Sequence, residues 1–165
     1  MHRNVTNEIT RVCQILNKND VQYLIVGGTA VAYHGYFRWS QNSDGTQTDK
    51  FDLDIWYSPT YDNYFKLLNA LAELDQDVKE FFAEKSPNPQ KSYFKFDLEK
   101  FTLDFLPKLK GSGKFKQAYE NKEITTINGI DLLFIGFDEL LKDKAANSRP
   151  KDLEDIKQLK SIKKK

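Results

Sequence analysis

The sequence predicts an α+β domain, a mixed β-sheet with helices packed mainly on one side and a helix pair at the C-terminal end. Three observations predict it. Segments with helical spacing and segments with strand spacing follow one another as helix, strand, helix, strand, helix, a group of strands, and two closing helices. Asn128-Gly129 lies between two β-branched apolar runs, a strong short-range signal for a tight hairpin. The last thirty residues carry helical spacing and no strand pattern.

Each element has its own reason. Val5, Ile9, Val12 and Leu16 recur at steps of four, three and four, one face of a helix that ends near Asn17 to Asn19. Residues 21–26 are a short β-prone run, broken by Gly27-Gly28. Residues 29–34 read as a short helix closed by Gly35. Residues 40–50 are polar and read as an exposed loop. Residues 51–57 are a second strand, and Ser58-Pro59-Thr60 opens a helix with proline in its first turn. Its apolar stripe is Tyr64, Leu67, Leu68, Leu71 and Leu74. A further short helix is predicted at 78–83 and a proline-bearing loop at 86–90. Phe94, Phe96 and Leu98 alternate with charged residues as in a half-buried strand, and 101–106 reads as its hairpin partner or next neighbour. A short helix follows near 115–119, then the hairpin strands 124–127 and 130–135, then helices at 138–146 and 150–162.

Composition sets the outer bounds. At 165 residues the length suits one domain, with a core at 20–135 and C-terminal helices with a basic tail at 136–165. With 39% hydrophobic residues the chain can bury a core, which excludes wholesale disorder. The net charge is +1, so there is no overall electrostatic case for a nucleic-acid or membrane partner. Five lysines in the last nine residues leave −4 for the rest, and a solvated helix end explains that tail most simply. A single cysteine, Cys13, excludes an internal disulfide and falls on the buried stripe of the first helix. No apolar run is long enough for a membrane span, and residues 1–4 do not begin a signal peptide, so a cytoplasmic location is expected.

Three features carry chemistry. In Phe51-Asp52-Leu53-Asp54-Ile55-Trp56 the alternation of a strand puts Asp52 and Asp54 on one face, about 7 Å apart, with Phe51, Leu53 and Ile55 on the other. Two such carboxylates repel one another, and a hard divalent cation between them relieves it; the bland alternative is an exposed edge strand. In Phe101-Thr102-Leu103-Asp104-Phe105-Leu106, Asp104 is a lone acid in an apolar strand, and an unpaired buried carboxylate costs several kcal/mol. If the two strands are neighbours, three carboxylates converge. In Leu24-Ile25-Val26-Gly27-Gly28-Thr29-Ala30 a strand runs through two glycines into a helix start, where backbone can approach a phosphate. It is neither a Walker loop nor a dinucleotide fingerprint. The loop from Ser40 fails as a calcium hand, because its twelfth position is Phe51. His2 and His34 are too few and too separate for a zinc site.

Taken together, Gly-Gly opening a helix, Asp-x-Asp on the next strand and a third Asp on a later one resemble the DNA polymerase β-like nucleotidyltransferase superfamily. The resemblance is closest to its small bacterial members, the minimal nucleotidyltransferases and the toxin-type enzymes of abortive-infection systems. It runs over residues 20–160 and includes the helix pair bearing Lys144, Arg149, Lys151, Asp152 and Asp155. It implies that Asp52, Asp54 and Asp104 are catalytic and bind Mg²⁺ or Mn²⁺, and that Gly27, Gly28 and Thr29 hold the β- and γ-phosphates. It makes Arg38, Lys144 and Arg149 candidates for neutralising the triphosphate, while Asp152 is expected to cap or pair locally. Two departures stand out. Thirteen residues, 39–51, separate Arg38 from Asp52, where the subgroup has few, and Gly28-Thr29 stands where many members have Gly-Ser.

The implied activity is transfer of a nucleoside monophosphate from an NTP to an acceptor hydroxyl, with release of pyrophosphate. A protein side chain or a tRNA is the favoured acceptor, with a helical toxin or antitoxin as partner. The alternative is a nucleotide-binding antitoxin or regulatory module with little turnover. A glycosyltransferase fits less well, given the glycine pair and the third Asp.

Overall fold

The computed structural model describes residues 3–35, 50–111 and 113–163. Helix α1 (Arg3–Lys18) leads to strand β1 (Tyr23–Val26), helix α2 (Gly27–Tyr33) and strand β2 (Phe51–Tyr57). Then come α3 (Tyr61–Glu73), α4 (Lys79–Ala83), a 3₁₀ turn (Pro89–Lys91), and the strands β3 (Phe94–Asp97) and β4 (Phe101–Leu106). The chain continues through α5 (Phe115–Glu120), β5 (Glu123–Ile127), β6 (Ile130–Phe134), α6 (Phe137–Asn147) and α7 (Pro150–Lys163).

The strands form one mixed six-stranded sheet in the order β3-β4-β2-β1-β6-β5. β2 runs parallel to β4 and antiparallel to β1, and β1 runs parallel to β6. β3–β4 and β5–β6 are antiparallel pairs. The second pair turns on Asn128 and Gly129, both at positive φ (53° and 78°), as a hairpin turn matched to strand twist requires.

Alternation makes the two faces of the central strands chemically different. Phe51, Leu53 and Ile55 of β2 and Phe101, Leu103 and Phe105 of β4 are buried, and the Phe51 and Phe101 rings stack with centroids 5.0 Å apart. Helices α3 and α4 cover this face: Tyr64 and Phe81 pack against Phe94, which lies beside Tyr57. On the opposite face the apolar cover begins only at Trp56. Its ring meets Phe115 edge-on at 5.2 Å, and its indole N–H donates to the Pro107 carbonyl at 3.2 Å. Below that cover, Asp52, Asp54, Thr102 and Asp104 share an open face. The helical stripe of α1 is buried as its spacing predicts, and burial pushes the Cys13 thiol up to about 12, so it is a packing residue and no thiolate.

A few boundaries differ from the sequence reading. β1 begins at Tyr23, two residues later than expected, because Val21 closes the turn after α1 with a bond from its N–H to the Leu16 carbonyl. Helix α2 begins at Gly27, so the two glycines are its first turn and do not precede it. Pro59 stands outside α3, whose cap is Thr60 accepting from the Asn63 N–H at 3.2 Å. The loop at 86–90 tightens into the 3₁₀ turn at Pro89. Arg38 and the polar loop at 40–49 lie outside the described residues.

Candidate active site

The strand register brings the three acids together. Val26 of β1 pairs with Asp54 of β2, Asp54 with Asp104 of β4, and Asp104 with Lys95 of β3. These four residues form one row across the sheet, each about 4.8 Å from the next. Asp52 lies two residues back along β2, opposite Thr102, whose hydroxyl donates to the Asp52 Oδ1. Asp104 faces the open side with Asp52 and Asp54, as the sequence reading required.

The glycine turn is fitted against this row. Gly27 has a φ of +66°, and a Cβ there would sit 2.4 Å from Oδ2 of Asp54. Only glycine tolerates both the backbone angle and the contact. Gly28 faces open space, with nothing within 4 Å of where a Cβ would be. The Thr29 hydroxyl donates to the Asp52 carbonyl at 2.9 Å and so ties the turn to β2. Gly27, Gly28, Thr29 and the three acids all line one cleft of about 750 Å³.

The electrostatics of the acids follow from that crowding. Burial, then the charges of Asp104 and Asp52, push the Asp54 carboxyl up to about 7, against the opposing pull of Lys144. A carboxyl raised this far keeps its proton more readily than a free one, beside Asp104 in the pairing register. Asp104 is also raised, chiefly by burial, with Lys95 and the Asp54 bond pulling the other way. Among the described residues, Oδ1 of Asp104 is buried without a hydrogen-bond partner. Buried polar atoms are nearly always satisfied, so an orphan carboxylate oxygen in a cleft marks a place for a ligand. Among the described residues, no three of the His, Cys, Asp and Glu side chains stand as a ready-made metal cage. The donor set nonetheless fits a hard cation: three carboxylates on one face, crowded enough to repel, with one oxygen unpartnered among the described residues.

Of the cations expected at the triphosphate, Lys144 and Arg149 reach the same cleft, but both are already committed; Arg38 lies outside the described residues. Lys144 is buried, with its Nζ 3.2 Å from Asp152 Oδ1 and 3.2 Å from Asp155 Oδ2. Arg149 donates from Nε to Asp152 Oδ2 at 2.6 Å and from Nη2 to Oδ1 at 3.2 Å. Burial raises Asp152, but Arg149 and Lys144 outweigh it and hold its carboxyl below the ordinary range. Asp152 therefore pairs locally, and it accepts from the Arg149 N–H as well. The cleft also gathers residues that the sequence reading did not single out: Thr102, Lys95, Lys108, Lys110 and Asp143. Thr102 was legible, since it lies two residues before Asp104 on the same strand. Lys95 enters only through the β3–β4 register.

No known family model matches the chain, and no curated protein sequence matches it. Solved structures do. The chain is similar to the crystal structure of the lincosamide antibiotic adenylyltransferase LnuA bound to lincomycin, with a TM-score of 0.58 and 16% identity over 94% of this chain and 96% of that one. It is also similar to an antigenic nucleotidyltransferase-like protein from Paracoccidioides brasiliensis, with a TM-score of 0.53 and 14% identity over 94% of this chain and 73% of that one. The chain has the nucleotidyltransferase fold. At these identities the likeness is one of fold, and the chemistry has to be argued from the cleft.

Proposed function

We propose that the protein moves a nucleoside monophosphate from an NTP to an acceptor hydroxyl and releases pyrophosphate. The observation that carries this reading is the Asp54–Asp104 pair, in register on neighbouring strands, with one orphan oxygen and Gly27 pressed against it. Asp52, Asp54 and Asp104 are the residues that would hold Mg²⁺ or Mn²⁺, which in such chemistry supplies positive charge to the phosphates and acidity to the attacking hydroxyl.

The chain's own groups have distinct tasks. The backbone of the Gly27-Gly28 turn, open at Gly28, receives the β- and γ-phosphates. The Thr29 hydroxyl, donated to the Asp52 carbonyl, keeps that turn seated on β2. Oδ1 of Asp104, without a partner, accepts the proton of the acceptor hydroxyl as the new O–P bond forms and the bond from the α-phosphorus to pyrophosphate breaks. Positioning and charge neutralisation supply the acceleration. ATP is the first nucleotide to try, since one neighbour in fold is an adenylyltransferase. The acceptor is a protein side chain or a tRNA, in the setting of a toxin–antitoxin pair in the cytoplasm with a helical partner; this part rests on the resemblance to the toxin-type subgroup.

The test incubates the protein with Mg²⁺ or Mn²⁺ and each α-labelled NTP, with total tRNA and with cell lysate. Label transfer that disappears in Asp52→Asn, Asp54→Asn and Asp104→Asn is the expected result. Tight NTP binding with no transfer to any acceptor would point instead to a nucleotide-binding module.

A further inference from the structure

The cleft holds two kinds of cation. Lys144 and Arg149 are neutralised by Asp152 and Asp155. Lys108 and Lys110 line the same cleft, are exposed, and form no ion pair among the described residues. Lys95 is exposed too, and it lies beside Asp104, whose carboxyl it pulls downward.

Their placement is built. The segment after β4 is fastened at three points. The Pro107 carbonyl accepts from Trp56 at 3.2 Å, Leu109 is buried, and Gly111 lies so close to α6 that a Cβ would sit 2.2 Å from the Lys142 carbonyl. Between those anchors Lys108 and Lys110 alternate outward. Like charges held close together by an anchored segment give this side of the cleft a positive potential that favours an anionic ligand.

Position separates this ligand from the nucleotide. In the row across the sheet Gly27 adjoins one end and Lys95 stands at the other, with Asp54 and Asp104 between them. Thr29 ties α2 back toward Asp52, whereas Lys108 and Lys110 lie beyond the opposite, Leu106 end of β4. The lysines thus flank the carboxylates on the side away from the phosphate cradle. Tyr93, half exposed, lines the cleft two residues before Lys95 and offers a ring for stacking.

We infer that Lys95, Lys108 and Lys110 form the acceptor subsite, and that the acceptor carries its hydroxyl on a phosphate-bearing molecule. The inference rests on the nucleotidyl-transfer reading and adds the charge class of its second substrate. Two sources share that chemistry, a polynucleotide end and a small sugar phosphate. The exposed Tyr93 favours the polynucleotide.

Direct binding tests it, using the intact protein with Mg²⁺ at low ionic strength. Three probes are titrated: a labelled NTP, a labelled single-stranded RNA oligonucleotide with a free 3′ hydroxyl, and ribose 5-phosphate. The proteins are wild type, the charge-reversing pair Lys108→Glu with Lys110→Glu, Lys95→Glu, and Tyr93→Ala. All four positions are exposed, so folding is preserved. The expected result is RNA affinity reduced at least about tenfold by each charge reversal, with a shallower salt dependence, and NTP affinity changed less than about twofold by the Lys108 and Lys110 reversal, which stands off the carboxylate row. Tyr93→Ala weakens RNA and leaves ribose 5-phosphate unchanged. Binding of both anions with the same lysine dependence supports a terminal phosphate as the recognised group. The inference is overturned if wild type binds neither anion, if the reversals leave both untouched, or if they lower NTP affinity equally, which would give the lysines to the triphosphate. Failure of wild type to bind NTP at all would overturn the nucleotidyl-transfer reading itself.

Discussion

Two clusters of charge border the same cleft and are built on opposite principles. Between α6 and α7, Lys144 and Arg149 meet Asp152 and Asp155 with donor–acceptor distances of 2.6 to 3.2 Å, and each charge has a partner. On the sheet, Asp52, Asp54 and Asp104 crowd together with one threonine hydroxyl, the Asp54 carboxyl pushed up by burial and by its neighbours, and one oxygen without a partner among the described residues. The first cluster is complete within the chain and joins the closing helices. The second is incomplete, and that incompleteness is what a nucleotide and a divalent cation would relieve. Buried charge thus marks a working site here only where the chain leaves it unsatisfied.

The comparison can be broken first at the complete cluster. Lys144→Met leaves Asp152 and Asp155 buried without their shared cation, and we expect a loss of about 3–5 kcal/mol of stability by chemical denaturation. A loss within about 1 kcal/mol would mean that the cluster is solvated and no different from a surface network. Next comes Asp104→Asn. It keeps the shape of the strand, removes the proton acceptor, and should lower label transfer at least about 100-fold with little change in melting temperature. Gly27→Ala sharpens the contact between the two halves of the site. The clash with Asp54 Oδ2 and the positive φ together should cost about 1–3 kcal/mol and weaken NTP binding. The smallest effect belongs to the surface. Lys18 and Glu73 pair at 3.1 Å with both side chains exposed, and Lys18→Ala should change stability by less than about 1 kcal/mol.

How much of this could be read from the sequence follows from what each feature depends on. β2 and β4 were legible to the residue, because period-two alternation of Phe, Leu and Ile against Asp is a local pattern. The hairpin at Asn128-Gly129 was legible for the same reason. That Asp52 and Asp54 share a face followed from alternation. That Asp104 lies opposite Asp54 needed the β2–β4 pairing, which the sequence offered only as a condition. The α6–α7 cluster was not legible. Charges on terminal helices are usually solvated, and the burial of Lys144 depends on carboxylates 8 and 11 residues away that a helix turn folds back onto it. The anchored lysines were missed because their setting depends on a tryptophan and a helix far off in the chain.

The central claim is that Asp54 and Asp104 form a crowded, mutually repelling pair that a cation would complete, and its most direct test is stability against pH. Asp54 is raised from 3.8 to about 7 in the folded protein. Its protonated form is therefore the favoured one in the fold, a contribution fully present below pH 3.8 and lost as pH rises through about 7. Thermal unfolding of wild type and Asp54→Asn, without divalent ions, is to be compared from pH 5 to pH 8, with Mg²⁺ and ATP added at the upper end. We predict that wild type loses a few degrees relative to the asparagine variant as pH rises, and that Mg²⁺ with ATP restores them in wild type alone. Parallel curves for the two proteins, with no selective response to Mg²⁺ and ATP, would contradict the account.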